Sequence, residues 1–347
     1  MGKYVLKRLG YMLVVTIILS FIMFMIYNLV PANRAYQDAR TEFQGMKNAI
    51  PAGQRDTYFD ELYLKYQRMY GTDTNNKVVR YLRWMGLAPL YDGSYSGLLE
   101  GNFGYSYDYK QPVVEVVKHP MLNTIYINIF ATILALGITI PLGIRCAVKR
   151  GSRLDQGVQV GTIVGYSLPV FLIAILFIWI FCSKLHIFPP SGMKTPGSNY
   201  TGWAYIKDSA YYMALPLIVE TFCSLGGMTR YVRASMIEAL SMDCIKTARA
   251  KGLREKVVIY SHAFRNALIP IVTLVVGWFL SIFSGSVMVE NIFGWNGMGS
   301  LMLKALRSAD YDVVLLMQMF YVCVSLMGTL VIDIVYGLVD PRVRVNK

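Results

Sequence analysis

Six stretches of this chain are each long and apolar enough to cross a lipid bilayer, and no other feature restricts its fold so strongly. They lie at residues 9–30, 122–144, 158–182, 211–228, 267–289 and 313–339, the fourth being the shortest. About 20 apolar residues in a row span the hydrocarbon core as a helix. Only 16% of the 347 residues are charged, where a soluble domain carries about a quarter. The expectation is an all-α polytopic membrane protein with six transmembrane helices. The first stretch follows Lys3, Lys7 and Arg8, as in a secretory signal. Its apolar run is too long, and no small-residue cleavage pattern follows Val30, so it reads as a retained helix.

The net charge of +13 is placed unevenly. The amino-terminal segment carries +3, the loop after the second stretch +3, the loop after the fourth +5 and the tail +2, so the rest of the chain nets zero. Excess Lys and Arg mark cytoplasmic loops. Both termini are therefore expected inside, with residues 31–121, 183–210 and 290–312 outside. No basic stretch accompanies a base-stacking or groove-reading module, which excludes a nucleic-acid partner in favour of membrane lipid.

The expected organisation is an amino-terminal helix to residue 30, an extracytoplasmic subdomain over 31–121, a five-helix core over 122–339 and a tail over 340–347. The subdomain is rich in tyrosine, and residues 40–69 read as helical, with Phe59, Leu62 and Tyr66 at i, i+3 and i+7. It serves either as a lid on the membrane helices or as a docking surface for an external partner. Pro141, Pro169, Pro216 and Pro270 fall in or beside the apolar stretches, where they kink helices and free backbone carbonyls.

The most informative loop runs from residue 230 to 270. Ser241 can cap a short helix, Asp243 sits in its first turn, and Arg249 and Lys251 fall in its last. Gly252 suits the left-handed terminating position. So short a helix is marginal alone and must dock on something. Ile245, Ala248 and Leu253 among the charges suit a groove on a soluble partner. The alternative is an amphipathic segment lying on the membrane surface.

Within that loop, E-A-L-x-x-D-x-I-x-T-A-R-A-K-G-L at residues 238–253, followed by H-A-x-R-N-A-L-I-P at 262–270, resembles the permease motif of type I ATP-binding-cassette importers. The form is that of oligopeptide, dipeptide and nickel permeases. The resemblance implies a coupling helix at about 241–253 that inserts into a cytoplasmic ATPase subunit, carried by Glu238, Asp243, Thr247, Ala248, Ala250, Lys251, Gly252 and Leu253. Further blocks resemble the same family in order: Y-V-L-K-R-L (4–9), G-N-F-G-Y-S (101–106), Asn123-Thr124, G-Y-S-L-P-V-F (165–171), F-P-P-S-G (188–192), E-N-I-F-G-W-N-G-M-G (290–299) and A-D-Y-D-V-V (309–314). The ending V-D-P-R-V-R (339–344) is similar to that of the family's B-type subunit. Two departures stand out. Pro31-Ala32-Asn33-Arg34 replaces the usual Pro-Gly-Asp-Pro, and residues 35–58 read as an insertion.

The resemblance implies a transport subunit of a bacterial cytoplasmic membrane, importing peptides or, alternatively, nickel, glutathione or another small solute. Its implied partners are a C-type permease subunit, two cytoplasmic ATPase subunits and an extracytoplasmic peptide-binding lipoprotein. No phosphate-binding Gly-x-x-x-x-Gly-Lys loop occurs, so ATP and Mg belong to the ATPase subunits and no cofactor is expected on this chain. No catalytic site is visible, and the five cysteines show no metal-binding spacing. An ion-coupled secondary transporter would show inverted repeats and several buried charges. A membrane scaffold would not need the coupling segment. Two carboxylates remain inside apolar stretches. Glu220 either lines the translocation pathway and meets a cationic group of the cargo, or is satisfied within the protein or protonated. Asp333 is expected to make a structural pairing.

Overall fold

The computed structural model describes residues 2–30, 34–106 and 108–339. The Pro31-Ala32-Asn33 departure, the tail and nearly all of the V-D-P-R-V-R ending lie outside the described residues. In chain order the first helices are α1 (Gly2–Leu29), α2 (Arg34–Met46), α3 (Arg55–Met69) and α4 (Lys77–Met85). Next come α5 (Val113–Val148), α6 (Arg153–Ser167), α7 (Val170–Phe177), α8 (Gly202–Ser241) and α9 (Asp243–Ala250). The last are α10 (Glu255–Val257), α11 (Phe264–Ser281), α12 (Val287–Ile292), α13 (Met298–Arg307) and α14 (Tyr311–Val339). One two-residue β ladder pairs Tyr105–Ser106 with Gln111–Pro112.

Among the described residues, five helical runs are long and apolar enough to cross a membrane: α1, α5, α8, the continuous run Glu255–Ser281, and α14. A sixth crossing results if α6 and the run Val170–Lys184 count as one span, bent by 104°. The bend falls at Leu168-Pro169. Leu168 is extended at ψ 133°, because the ring of a following proline disfavours the helical region.

Helix ends differ from the apolar stretches because helices outlast the hydrocarbon core. The fourth stretch, expected to be shortest, lies in the longest helix, the 40-residue α8, with Pro216 inside it. The fifth begins at Glu255 rather than 267, passes through a π-helical turn (Val258–Ala263), and ends at Ser281 rather than 289. Ser284-Gly285-Ser286 then interrupts the chain before α12. The helical reading of 40–69 resolves into two helices, α2 and α3. Pro51 between them lacks a backbone donor and biases Ile50 away from helix.

The chain divides into two compact units, residues 1–118 with 302–322, and residues 119–301 with 323–347. In the first, Phe24 of α1 packs against Tyr81 and Met85 of α4 and against Leu315. The Ser20 and Tyr81 hydroxyls hydrogen-bond at 2.8 Å, and Arg80 donates to Asn28 Oδ1 at 3.2 Å. Helices α2 and α3 are held by Tyr66, which donates to Glu42 at 2.6 Å, and by Tyr70, which donates to Asp38. Rings fill the space between, with Phe59 edge-on to Tyr36 and Phe43. Arg34 closes this region on Asp108 at 2.5 Å.

In the second unit, α8 packs against α6 and α11. A Cβ on Gly226 would stand 2.9 Å from the Thr162 carbonyl of α6, so this close approach needs glycine. One apolar core joins Ile144, Met228, Val232 and Met236 to Val258, Ala263 and Ile271. A second joins Ile173 and Ala174 of α7, Leu215 and Val219 of α8, and Val289 and Phe293.

Candidate functional site

The segment after α8 forms a short projecting helix. Met242, extended at ψ 146°, occupies the position before α9. Ser241, expected to cap it, instead donates to the Glu238 carbonyl at 2.7 Å, since it still belongs to α8. Asp243 stands in the first turn, ion-paired to Lys246 at 2.8 Å, where the positive end of the helix dipole favours a carboxylate. Thr247 donates to the Asp243 carbonyl at 3.0 Å. The helix ends at Lys251, and Gly252 takes φ +75°, a region that costs an L side chain strain. A Glu255 carboxylate bonds Arg249 at 2.7 Å and holds its guanidinium pKa above the ordinary value.

The faces of α9 differ from expectation. Ile245 is 0% exposed and Ala248 is buried, both within the core built by α8, α11 and the π turn. They anchor the helix to its own chain and are not available to a groove on a partner. Such docking is what stabilises eight residues that could not hold a helix alone. The outward face consists of Asp243, Lys246, Thr247, Arg249, Ala250 and Lys251, with Gly252 and Leu253 beside it, all exposed. Glu238 is exposed at the end of α8. The structure thus brings all the expected coupling residues to one place but turns Ala248 inward.

Two linkages of this unit were not legible in the sequence. Arg233 of α8 donates Nε to Asp155 Oδ1 at 2.6 Å and Nη2 to Oδ2 at 2.8 Å. Asp155, 1% exposed, also accepts from Gly151 N at 2.9 Å and Gln159 at 3.3 Å. This two-pronged ion pair ties the start of α6 to α8 ten residues before α9 begins. The second linkage joins the Asn123-Thr124 block to the 290–299 block. Thr124 donates to Glu290 Oε1 at 2.8 Å and accepts from Met298 N at 2.8 Å. Glu290 Oε2 accepts from Ser300 N at 2.8 Å, and Trp295 donates to the Asn123 carbonyl at 3.1 Å.

A cavity of about 440 Å³ opens in the same unit. Its wall includes Asn128 of α5, Tyr166 of α6, Glu220 and Ser224 of α8, and Trp278 and Ser281 of α11. Glu220 Oε1 is buried and has no hydrogen-bond partner. Asp333 is half-buried on α14.

Residues 139–345 match the family described as binding-protein-dependent transport system inner membrane component. The chain is 34% identical to an oligopeptide transport system permease protein, AppB of Bacillus subtilis, over 77% of this chain and 80% of that one. It is 32% identical to the dipeptide transport system permease protein DppB of Escherichia coli over 72% of this chain and 79% of that one. A probable peptide ABC transporter permease protein of Sinorhizobium fredii, y4tP, is 26% identical over 99% of this chain and the whole of that one. Among solved structures, the methionine ABC transporter MetNI in an inward-facing form aligns with a TM-score of 0.47 and 14% identity, covering 63% of this chain and 95% of that one.

Proposed function

This chain belongs to the family of binding-protein-dependent transport system inner membrane components, and from that premise we propose that it is the B-type permease subunit of an importer for short peptides. It is a multi-pass protein of the cytoplasmic membrane and a transport subunit of an ATP-binding-cassette importer. Peptide as the cargo rests on the names of its relatives, the oligopeptide and dipeptide permeases. A C-type permease subunit, two ATPase subunits that bind ATP and Mg, and an extracytoplasmic binding lipoprotein complete the assembly. Both termini lie inside, consistent with the placing of the excess Lys and Arg. Residues 31–121 then face outside, where the binding protein docks.

The observation that carries the coupling role is the two-faced build of α9. Ile245 and Ala248 fix it to the membrane helices, while its charged face and Gly252 are left outward. A helix held this way transmits a push from an ATPase subunit into α8 and α11 as a rigid-body movement. Gly252→Val tests it. The β-branched side chain is strained at φ +75°, by about 1–2 kcal/mol, which reshapes the projecting end without touching a membrane helix. In proteoliposomes holding the assembled importer, ATP hydrolysis should persist and peptide uptake should fall at least tenfold, with membrane insertion intact. Uptake at the wild-type rate refutes the coupling role.

A further inference from the structure

The cavity beside Glu220 has an unusual wall for a space of about 440 Å³ inside a membrane protein. Among the described residues, its lining contains one carboxylate and no Lys, Arg or His. An uncompensated carboxylate removed from water is costly, yet Glu220 Oε1 is buried without a hydrogen-bond partner. Three of the polar side chains that line it spend their donors elsewhere. Ser224 donates its hydroxyl to the Glu220 carbonyl at 2.9 Å, and Ser281 donates to the Trp278 carbonyl at 2.7 Å. Asn128 uses Nδ2 on the carbonyls of Ile282 and Ser284, at 2.9 and 3.0 Å. Once those donors are spent, oxygen lone pairs remain: the two hydroxyl oxygens, the Asn128 amide oxygen and the free carboxylate oxygen. Trp278 and Tyr166 add aromatic groups to the same wall, and ring faces attract cations.

A wall with one unpaired carboxylate oxygen, three acceptor groups whose own donors are spent, and aromatic rings suits a ligand that brings hydrogen-bond donors and positive charge. It repels an anion, for which it offers no cationic side chain. We propose that this cavity is a primary-ammonium site, in which Glu220 receives the –NH3+ group of a solute on its way through the membrane. An ammonium has three donors and no acceptor, which suits the Glu220 carboxylate and the three acceptor groups beside it. The proposal rests on the importer reading for its occupant, since an α-ammonium and a lysine side chain present the same chemistry.

Cys223 lines the same cavity one helical turn from Glu220 and supplies an internal probe. In membranes holding the assembled importer, Cys223 is treated with aminoethyl, sulfonatoethyl or neutral hydroxyethyl methanethiosulfonate, and its modification is followed by mass spectrometry of the Cys223 peptide. The ratio of the cationic to the anionic rate is expected to fall about tenfold in Glu220→Gln, equivalent to about 1.4 kcal/mol of lost attraction. It should be largely kept in Glu220→Asp. An unchanged ratio in Glu220→Gln overturns the site. So does failure of all three reagents to react, because a cavity that no solute enters binds none. The source of the ammonium is read separately, from uptake of trialanine, N-acetyl-Ala-Lys-Ala and N-acetyl-trialanine. Glu220→Gln should lose its advantage for whichever of the first two the wild type prefers over the third. A wild type that imports none of the three, with the Cys223 ratio still responding to Glu220, refutes peptide as the cargo and leaves the ammonium site standing.

Discussion

Removing Arg233 should loosen the attachment of α6 to α8 far more than any exposed charge substitution could. In Arg233→Ala, Asp155 would keep the bonds from Gly151 and Gln159 but lose both guanidinium contacts, at 2.6 and 2.8 Å. Asp155 is 1% exposed and cannot recover them from water. Breaking a buried pair by deleting one partner costs about 3–5 kcal/mol, and the two retained bonds place this case near the lower end. A cost of about 3 kcal/mol is roughly a 150-fold shift in an opening equilibrium. Hydrogen exchange of amides 151–160 and 230–240 in nanodiscs reads that shift directly. Asp155→Ala and the double variant complete a cycle, whose coupling energy should reach about 2 kcal/mol. The reasoning is refuted if Arg233→Ala exchanges like wild type, or if the two single effects simply add.

Three further outcomes follow from the same contacts. Ile245→Ala empties a fully buried position beneath α9 and should cost about 2–5 kcal/mol; protease sensitivity of residues 242–254 should rise, while sensitivity equal to wild type would show that α9 is held otherwise. Thr124→Val leaves Met298 N and Glu290 Oε1 without their partner, costing about 1–3 kcal/mol, read as a lower unfolding temperature. Tyr66, bonded to Glu42, has its phenol raised to about 12 by that hydrogen bond first and by burial second. A raised pKa contributes stability that is whole below pH 10 and is lost between 10 and about 12. In an ultraviolet titration, Tyr66→Phe should remove one phenol from those that ionise above pH 10.

How much of this was legible in the sequence depends on the range of the interaction concerned. Lipid as solvent makes each span a local property, so the run at 122–144 sits inside α5 and the run at 9–30 overruns the end of α1 by one residue. Helix ends were less legible, because α8 and the run from Glu255 continue into polar residues where hydrophobicity no longer marks them. Gly252 was readable because its left-handed φ is a demand of its own backbone. The faces of α9 were misjudged because apolar Ile245 and Ala248 can serve a partner or the chain itself, and periodicity does not say which. Asp155 and Arg233 lie 78 residues apart, and Thr124 and Glu290 lie 166 apart. Nothing local joins such pairs; only the fold brings them together.

Most direct for the central claim is the accessibility of α9 in the assembled importer. Cys244 and a cysteine placed by Ala250→Cys are both outward on this helix and can be reacted with a water-soluble maleimide, with and without the ATPase subunits. Protection of both on assembly, with a crosslink from position 250 to an ATPase subunit, is the result predicted for a coupling helix. Equal labelling in both preparations, with no crosslink formed, would contradict it.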